Sequence, residues 1–259
     1  MGLDVYAGTL TRYLTGDWEL ATEKAAREMG LELQVERLNE PEDVVTDPEE
    51  VRAAVLEWRE ALADTLELPL AWSEDDDMPY FTDKPDWSGY GALLLFAAHQ
   101  EHPEIPLPQE LPPEPFDHPL FKAVTGSAKR GLLPRRKEPE QPPRYASLYG
   151  TELWLPVDTE AVWTAPFLNG EMVTTGSTQA LHADLNDLVR RLGASPEELD
   201  EWRRSGGVGE VIGTVEIDGR TFEQLAPGSV DELARFALAV FVELTEQAVD
   251  HRLPMKLDY

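Results

Sequence analysis

The sequence predicts an α+β fold in which a mixed or antiparallel sheet carries several packed helices. Three observations lead there. The chain opens with a β-α-β pattern, its second half holds two hairpin turn signals, and a long helix with one broad apolar face stands near its end.

Leu3 to Leu10 reads as a strand, with Leu3, Val5 and Ala7 on one side and Asp4 and Tyr6 on the other. Asp17 is placed to cap a helix over Trp18 to Met29, which Gly30 closes. Leu31, Leu33 and Val35 alternate with polar residues as a half-buried strand does. Asp47-Pro48-Glu49-Glu50 then supplies a cap, a first-turn proline and acids for the helix dipole. Val51, Val55, Trp58, Leu62 and Leu66 recur at helical spacing behind it, so a helix to about Glu67 is expected.

Met78 to His102 is the expected centre. An acidic loop, Ser73 to Asp77, leads through four aromatics into a helix apolar on nearly every side, and such a helix is usually buried. Between Pro103 and Pro143 lie 11 of the chain's 21 prolines, which excludes regular sheet interior. One short helix is expected near Pro119 to Thr125, and Leu107, Leu111, Phe116, Leu120 and Phe121 are apolar anchors. The expectation is therefore a single domain over 1–259 with 103–144 wrapped on it as an irregular segment. The alternative is a linker between two lobes, 1–102 and 145–259.

Beyond Tyr145, Leu148, Leu153 to Leu155, Val157, Val162 and Trp163 fall in short strand-like runs. Asn169-Gly170 and Asp218-Gly219 each join such runs as hairpin turns. Helices are expected from Ser177 or Thr178 to Leu192, from the capping box Ser195 to Glu198, and from Val230 to about Asp250. The final LPMKLDY is expected as an edge strand.

Fifty acidic residues against 22 basic ones give a net charge of −28, which favours solubility and disfavours nucleic acid and anionic membranes as ligands. The chain has no Cys, so disulfides, thiolate metal sites and cysteine nucleophiles are excluded. No apolar run reaches the roughly 18 residues of a membrane span, and Asp4 stands where a secretion signal carries basic residues. A cytoplasmic location is expected. Lys129, Arg130, Arg135, Arg136, Lys137 and Arg144 form the one basic cluster, either an anion or partner site or a loop paired with the protein's own acids.

No Walker loop, nucleophile elbow or H-E-x-x-H occurs. Gly207, Gly209 and Gly213 miss the dinucleotide spacing and precede a strand rather than a helix. Counted from Asp75, the acidic loop has Tyr80 where an EF-hand needs Gly, and Asp86 where it needs Glu.

Three functional readings follow. The first is a non-catalytic binding protein that takes a protein partner, expected to be basic, on an acidic and aromatic surface of Asp75, Asp76, Asp77, Tyr80, Phe81, Asp83, Asp86, Trp87 and Tyr90. The second is a metal-dependent hydrolase: His99 and His102, three apart on a helix, meet one divalent ion together with Asp83 or Asp86. Against it, histidines at a helix end also suit its C-terminal carbonyls. The third is a small-molecule pocket walled by the four aromatics, whose competing role is to pack over the buried helix. No cofactor other than that metal is expected.

Overall fold

The computed structural model describes residues 2–28, 30, 47–126, 142–217 and 220–259. In chain order the described elements are β1 (Asp4–Ala7), α1 (Leu10–Thr15), α2 (Ala21–Glu28), α3 (Pro48–Leu66), β2 (Phe81–Asp83), α4 (Asp86–Glu101), a 3-10 turn (Pro115–Asp117), α5 (Pro119–Val124), β3 (Leu153–Leu155), β4 (Trp163–Pro166), β5 (Met172–Ser177), α6 (Thr178–Leu192), α7 (Pro196–Ser205), β6 (Val208–Ile217), β7 (Arg220–Pro227), α8 (Val230–His251) and β8 (Met255–Asp258). The fold is α+β, with a mixed sheet and a long helix near the end of the sequence. Among the described residues, no helix is long and apolar enough to cross a membrane.

Two compact units share these elements. The first comprises Met1–Lys84, Gly150–Ala183 and Val242–Tyr259; the second comprises Pro85–Tyr149 and Asp184–Phe241.

The first unit holds a six-stranded sheet in the order β2-β1-β8-β3-β5-β4. Its pairs are antiparallel except β3 with β5. β1 is buried along its length because strands lie on both sides of it. β8 is an interior strand and not the expected edge: its Met255 and Leu257 are buried, and it pairs with both β1 and β3. The period-2 alternation is visible in sequence, but it does not reveal that partners distant in the chain close both sides. Leu10, Val51, Val55, Leu62, Trp72, Leu153, Leu155 and Phe167 belong to the core against this sheet.

The expected helix over Trp18 to Met29 corresponds to α2, which starts at Ala21, and an additional helix, α1, precedes it. Thr9, not Asp17, provides the first cap by accepting the Arg12 amide, and Gly16 at φ 69° ends α1. Leu10, expected in the strand, begins that helix. Trp18 is buried with Leu20 and Tyr6 in a small aromatic cluster. The expected strand over Leu31 to Glu36 lies outside the described residues, as does the basic run from Lys129 to Lys137.

In the second unit every residue of α4 from Gly89 to Ala98 is buried, as its all-round apolar sequence requires. Two glycines permit this. A Cβ on Gly89 would lie 3.3 Å from the Ala237 methyl in α8, and one on Gly91 would lie 3.0 Å from the Pro115 ring. Phe116, expected as an apolar anchor, is exposed, whereas Leu120 is fully buried. The Gln109 carbonyl accepts the Val230 amide at 3.1 Å. α7 begins with the expected capping box of Ser195 and Glu198. Leu148, expected in a strand, sits in the turn that precedes β3. β6 and β7 form a separate two-stranded hairpin in register Ile217↔Arg220; its Asp218-Gly219 turn lies outside the described residues.

Candidate functional site

The acidic loop of the first unit is built around a carboxylate that does not face water. Glu74 is buried and accepts the Leu10 amide at 3.2 Å, the Thr11 amide at 2.8 Å and the Trp72 indole N–H at 2.6 Å. It thereby satisfies orphan donors at the start of α1 and fixes the loop to that helix. Arg12, one turn of the chain further on, donates to the Met78 carbonyl and to the Asp76 carbonyl, both at 2.6 Å. Arg52 of α3 donates to the Glu74 carbonyl at 3.0 Å and pairs with the Asp76 carboxylate. Arg59, also of α3, stands 5.3 Å from the Trp72 ring centroid and donates to the Trp72 carbonyl at 2.5 Å.

Three guanidinium groups thus hold the backbone from behind while Asp75, Asp76 and Asp77 remain exposed. The three differ in surroundings. Asp76 shares its charge with Arg52, and Asp75 receives the Ser73 hydroxyl at 2.5 Å. Asp77 is exposed next to them in the chain. The sequence marks the acids but not the arginines, whose partners in the loop lie 64 and 66 residues away for Arg12 and 22 to 24 for Arg52.

The four aromatics divide between the two units, Tyr80 and Phe81 in the first and Trp87 and Tyr90 in the second. Tyr80 lies next to the loop, under the Arg12 guanidinium at 5.1 Å and 6.3 Å from the Tyr6 ring. Phe81 stacks on His251, 5.6 Å between centroids. Asp83, at the end of β2, accepts the Lys84 amide at 2.8 Å. Trp87 and Tyr90 belong to the second unit, where they meet edge to face at 6.3 Å. Tyr90 is a core residue: it is buried, stacks on Phe241 and donates its hydroxyl to the Leu148 carbonyl at 3.2 Å.

His99 and His102 end α4, and Asp86 begins it. At about 1.5 Å rise per residue, Asp86 and His99 are about 20 Å apart along the helix, too far to share an ion. That corrects the expected grouping of Asp86 with the two histidines. His99 Nδ1 lies 2.8 Å from the Ile105 carbonyl, and His102 Nδ1 lies 3.1 Å from the Glu104 carboxylate. Both rings therefore serve the turn that leaves the helix. Among the described residues, no three His, Asp or Glu side chains converge as metal ligands.

A second polar constellation, which sequence reading missed, surrounds the turn Arg144 to Tyr149 in the second unit. Glu101 accepts the Arg144 amide at 2.8 Å, the Tyr145 amide at 3.3 Å and the Tyr149 hydroxyl at 2.9 Å. Asp184 accepts both the amide and the hydroxyl of Ser147. Asp187 receives the Tyr145 hydroxyl at 3.0 Å together with Arg144, Arg190 and Arg191.

The two aspartates are driven in opposite directions. Burial pushes Asp184 up to about 6, against the Ser147 hydrogen bonds and with the Glu101 and Asp187 charges adding to it. Burial also acts to raise Asp187, but hydrogen bonds from Arg191, Tyr145 and Arg144 outweigh it and bring the carboxyl down to about 2. The signal in sequence was the pair of aspartates one helical turn apart on α6. Their target, a turn some 40 residues earlier, was not readable.

Comparison with known proteins finds no match, whether to a protein-family model, to a curated protein or to a solved structure.

Proposed function

We propose that the protein is a non-catalytic cytoplasmic binding protein that takes a basic protein or peptide partner on the acidic loop, with Asp75 and Asp77 as the principal contacts. One observation carries this reading: three consecutive exposed aspartates stand on a backbone tied down by Arg12 and Arg52. A loop fixed before binding loses little further freedom when a partner arrives, so more of the interaction appears as affinity. The net charge of −28 adds long-range attraction for a cationic partner, which acts mainly on the rate of encounter. Tyr80 lies beside the loop, with the Arg12 guanidinium over its ring, and so helps hold the arginine that anchors the loop.

The test is a titration with a lysine-rich peptide of defined sequence at two salt concentrations. Attraction to exposed carboxylates is screened over about 10 Å at 0.1 M salt and about 3 Å at 1 M. Affinity is expected to fall by at least about tenfold between them. Binding of equal strength at both concentrations contradicts the reading.

A further inference from the structure

Lys256 is set in β8 opposite Tyr6 of β1 and Leu153 of β3, so ladders on both sides fix its position. Its side chain does not extend freely into water. The Nζ lies 5.2 Å from the Tyr13 ring centroid and 6.0 Å from that of Phe167, and it donates to the Leu257 carbonyl at 3.0 Å. Two residues further along the same strand face, Asp258 accepts the Tyr13 hydroxyl at 2.7 Å. An amine, a phenol and a carboxylate from α1 and β8 thus share one face of the sheet, with the phenol in contact with both of the others.

Burial lowers the proton affinity of the Lys256 amine, and the charges of Asp258, Glu152 and Glu171 only partly offset that. Lysines in such surroundings hold more of the free amine near neutral pH and become nucleophiles towards carbonyl carbon. The surrounding carboxylates Asp258, Glu152 and Glu171 disfavour an anionic reactant, which leaves a neutral one.

We propose that Lys256 is a reversible covalent binding site for small neutral aldehydes, with the hydrogen-bonded Tyr13 and Asp258 pair moving the protons. In the first step the Nζ lone pair forms a bond to the carbonyl carbon and the carbonyl π pair moves to oxygen. One proton passes from nitrogen to that oxygen through the Tyr13 hydroxyl, giving a carbinolamine. The C–O bond then breaks, the second proton from nitrogen leaves with the oxygen as water, and a C=N bond remains. Water reverses both steps, so no oxidant or reductant is consumed.

The test treats the whole protein with propionaldehyde at neutral pH, traps imines with borohydride and maps alkylated lysines by mass spectrometry. Lys24 and Lys122 are exposed and serve as internal references. Lys256 is expected to carry adduct several-fold faster than either, and the preference is expected to vanish when the chain is unfolded in urea before treatment. Labelling of Lys256 no faster than Lys24 and Lys122, or a preference that survives unfolding, overturns the proposal. In Tyr13→Phe the adduct is expected to form several-fold more slowly with a flattened pH profile, while the reference lysines are unchanged. An unaltered rate and profile at Lys256 overturns the relay.

Discussion

Glu74 caps α1 from 63 residues away: its Oε2 accepts the Thr11 amide at 2.8 Å, while its Oε1 takes the Leu10 amide and the Trp72 indole. An acid in the most acidic run of the chain thus spends its charge inside the fold, and its neighbours face out. Glu74→Ala leaves three donors without an acceptor in a buried position, which costs about 3 kcal/mol. Glu74→Gln keeps part of the set and is expected to cost about half as much. Urea unfolding of the two variants beside the wild type checks both the size and the order.

Arg12 fixes the other side of the loop through the Met78 and Asp76 carbonyls. Arg12→Met keeps the stem that packs near Tyr80 and deletes the donors. A loss of about 2 kcal/mol is expected from two charge-assisted hydrogen bonds. Hydrogen exchange is expected to speed up selectively at amides of residues 75–80, with α4 unaffected; unchanged exchange in that loop counts against the anchoring.

Asp184 and Asp187 give the protein opposite pH dependences in adjacent ranges. Asp184 is raised in the folded state from its ordinary 3.8 to about 6, so the fold binds more protons than the unfolded chain between those values. Its effect is a destabilisation that is absent below about pH 4 and complete above pH 6, worth at most about 3 kcal/mol at 1.36 kcal/mol per unit. Asp187 is lowered to about 2, so it contributes stability above pH 4 that is lost as the pH falls through 2. Asp184→Asn is therefore expected to raise Tm at pH 7.5 and to leave it unchanged at pH 4. A variant whose Tm is shifted equally at both pH values contradicts the assignment.

Gly91 lies where Pro115 closes on α4, with room for no Cβ beyond 3.0 Å from the proline ring. Gly91→Val is expected to destabilise by about 1–3 kcal/mol through overpacking, even though it replaces a poor helix former. An exposed helical control, Ala53→Val in α3, is expected to change stability by less than about 0.7 kcal/mol. Thermal unfolding of the pair separates packing from propensity.

These sites differ in how far the sequence reveals them. Local chemistry was legible: Asp47 and Ser195 cap helices, Asn169-Gly170 turns β4 into β5, and the apolar run after Tyr90 is buried. Each depends on neighbours within a few residues. The helix over Ala21–Glu28 was legible, but α1 was not, because Leu3 to Leu10 reads as one strand and Thr9 and Gly16 are weak cues for a helix of six residues. β8 was read as an edge because pairing with β1 and β3 is set by the whole sheet. The acidic loop was recognised by composition. Its anchors were not, since Arg12 and Arg52 look like any surface arginine until the chain returns to meet them. His99 and His102 were singled out by spacing, but the same spacing places both at a helix end, where each contacts the turn that follows.

The measurement that bears most directly on the central claim compares two charge-neutralised pairs for binding of the same lysine-rich peptide at low salt. Asp75→Asn with Asp77→Asn removes the exposed loop charges, and Asp200→Asn with Glu201→Gln removes the same number from the exposed surface of α7. The first pair is expected to weaken binding by about tenfold, or about 1.4 kcal/mol, and the second by less than about twofold. Equal losses from the two pairs contradict the account, because they leave the loop with no role beyond its share of the net charge.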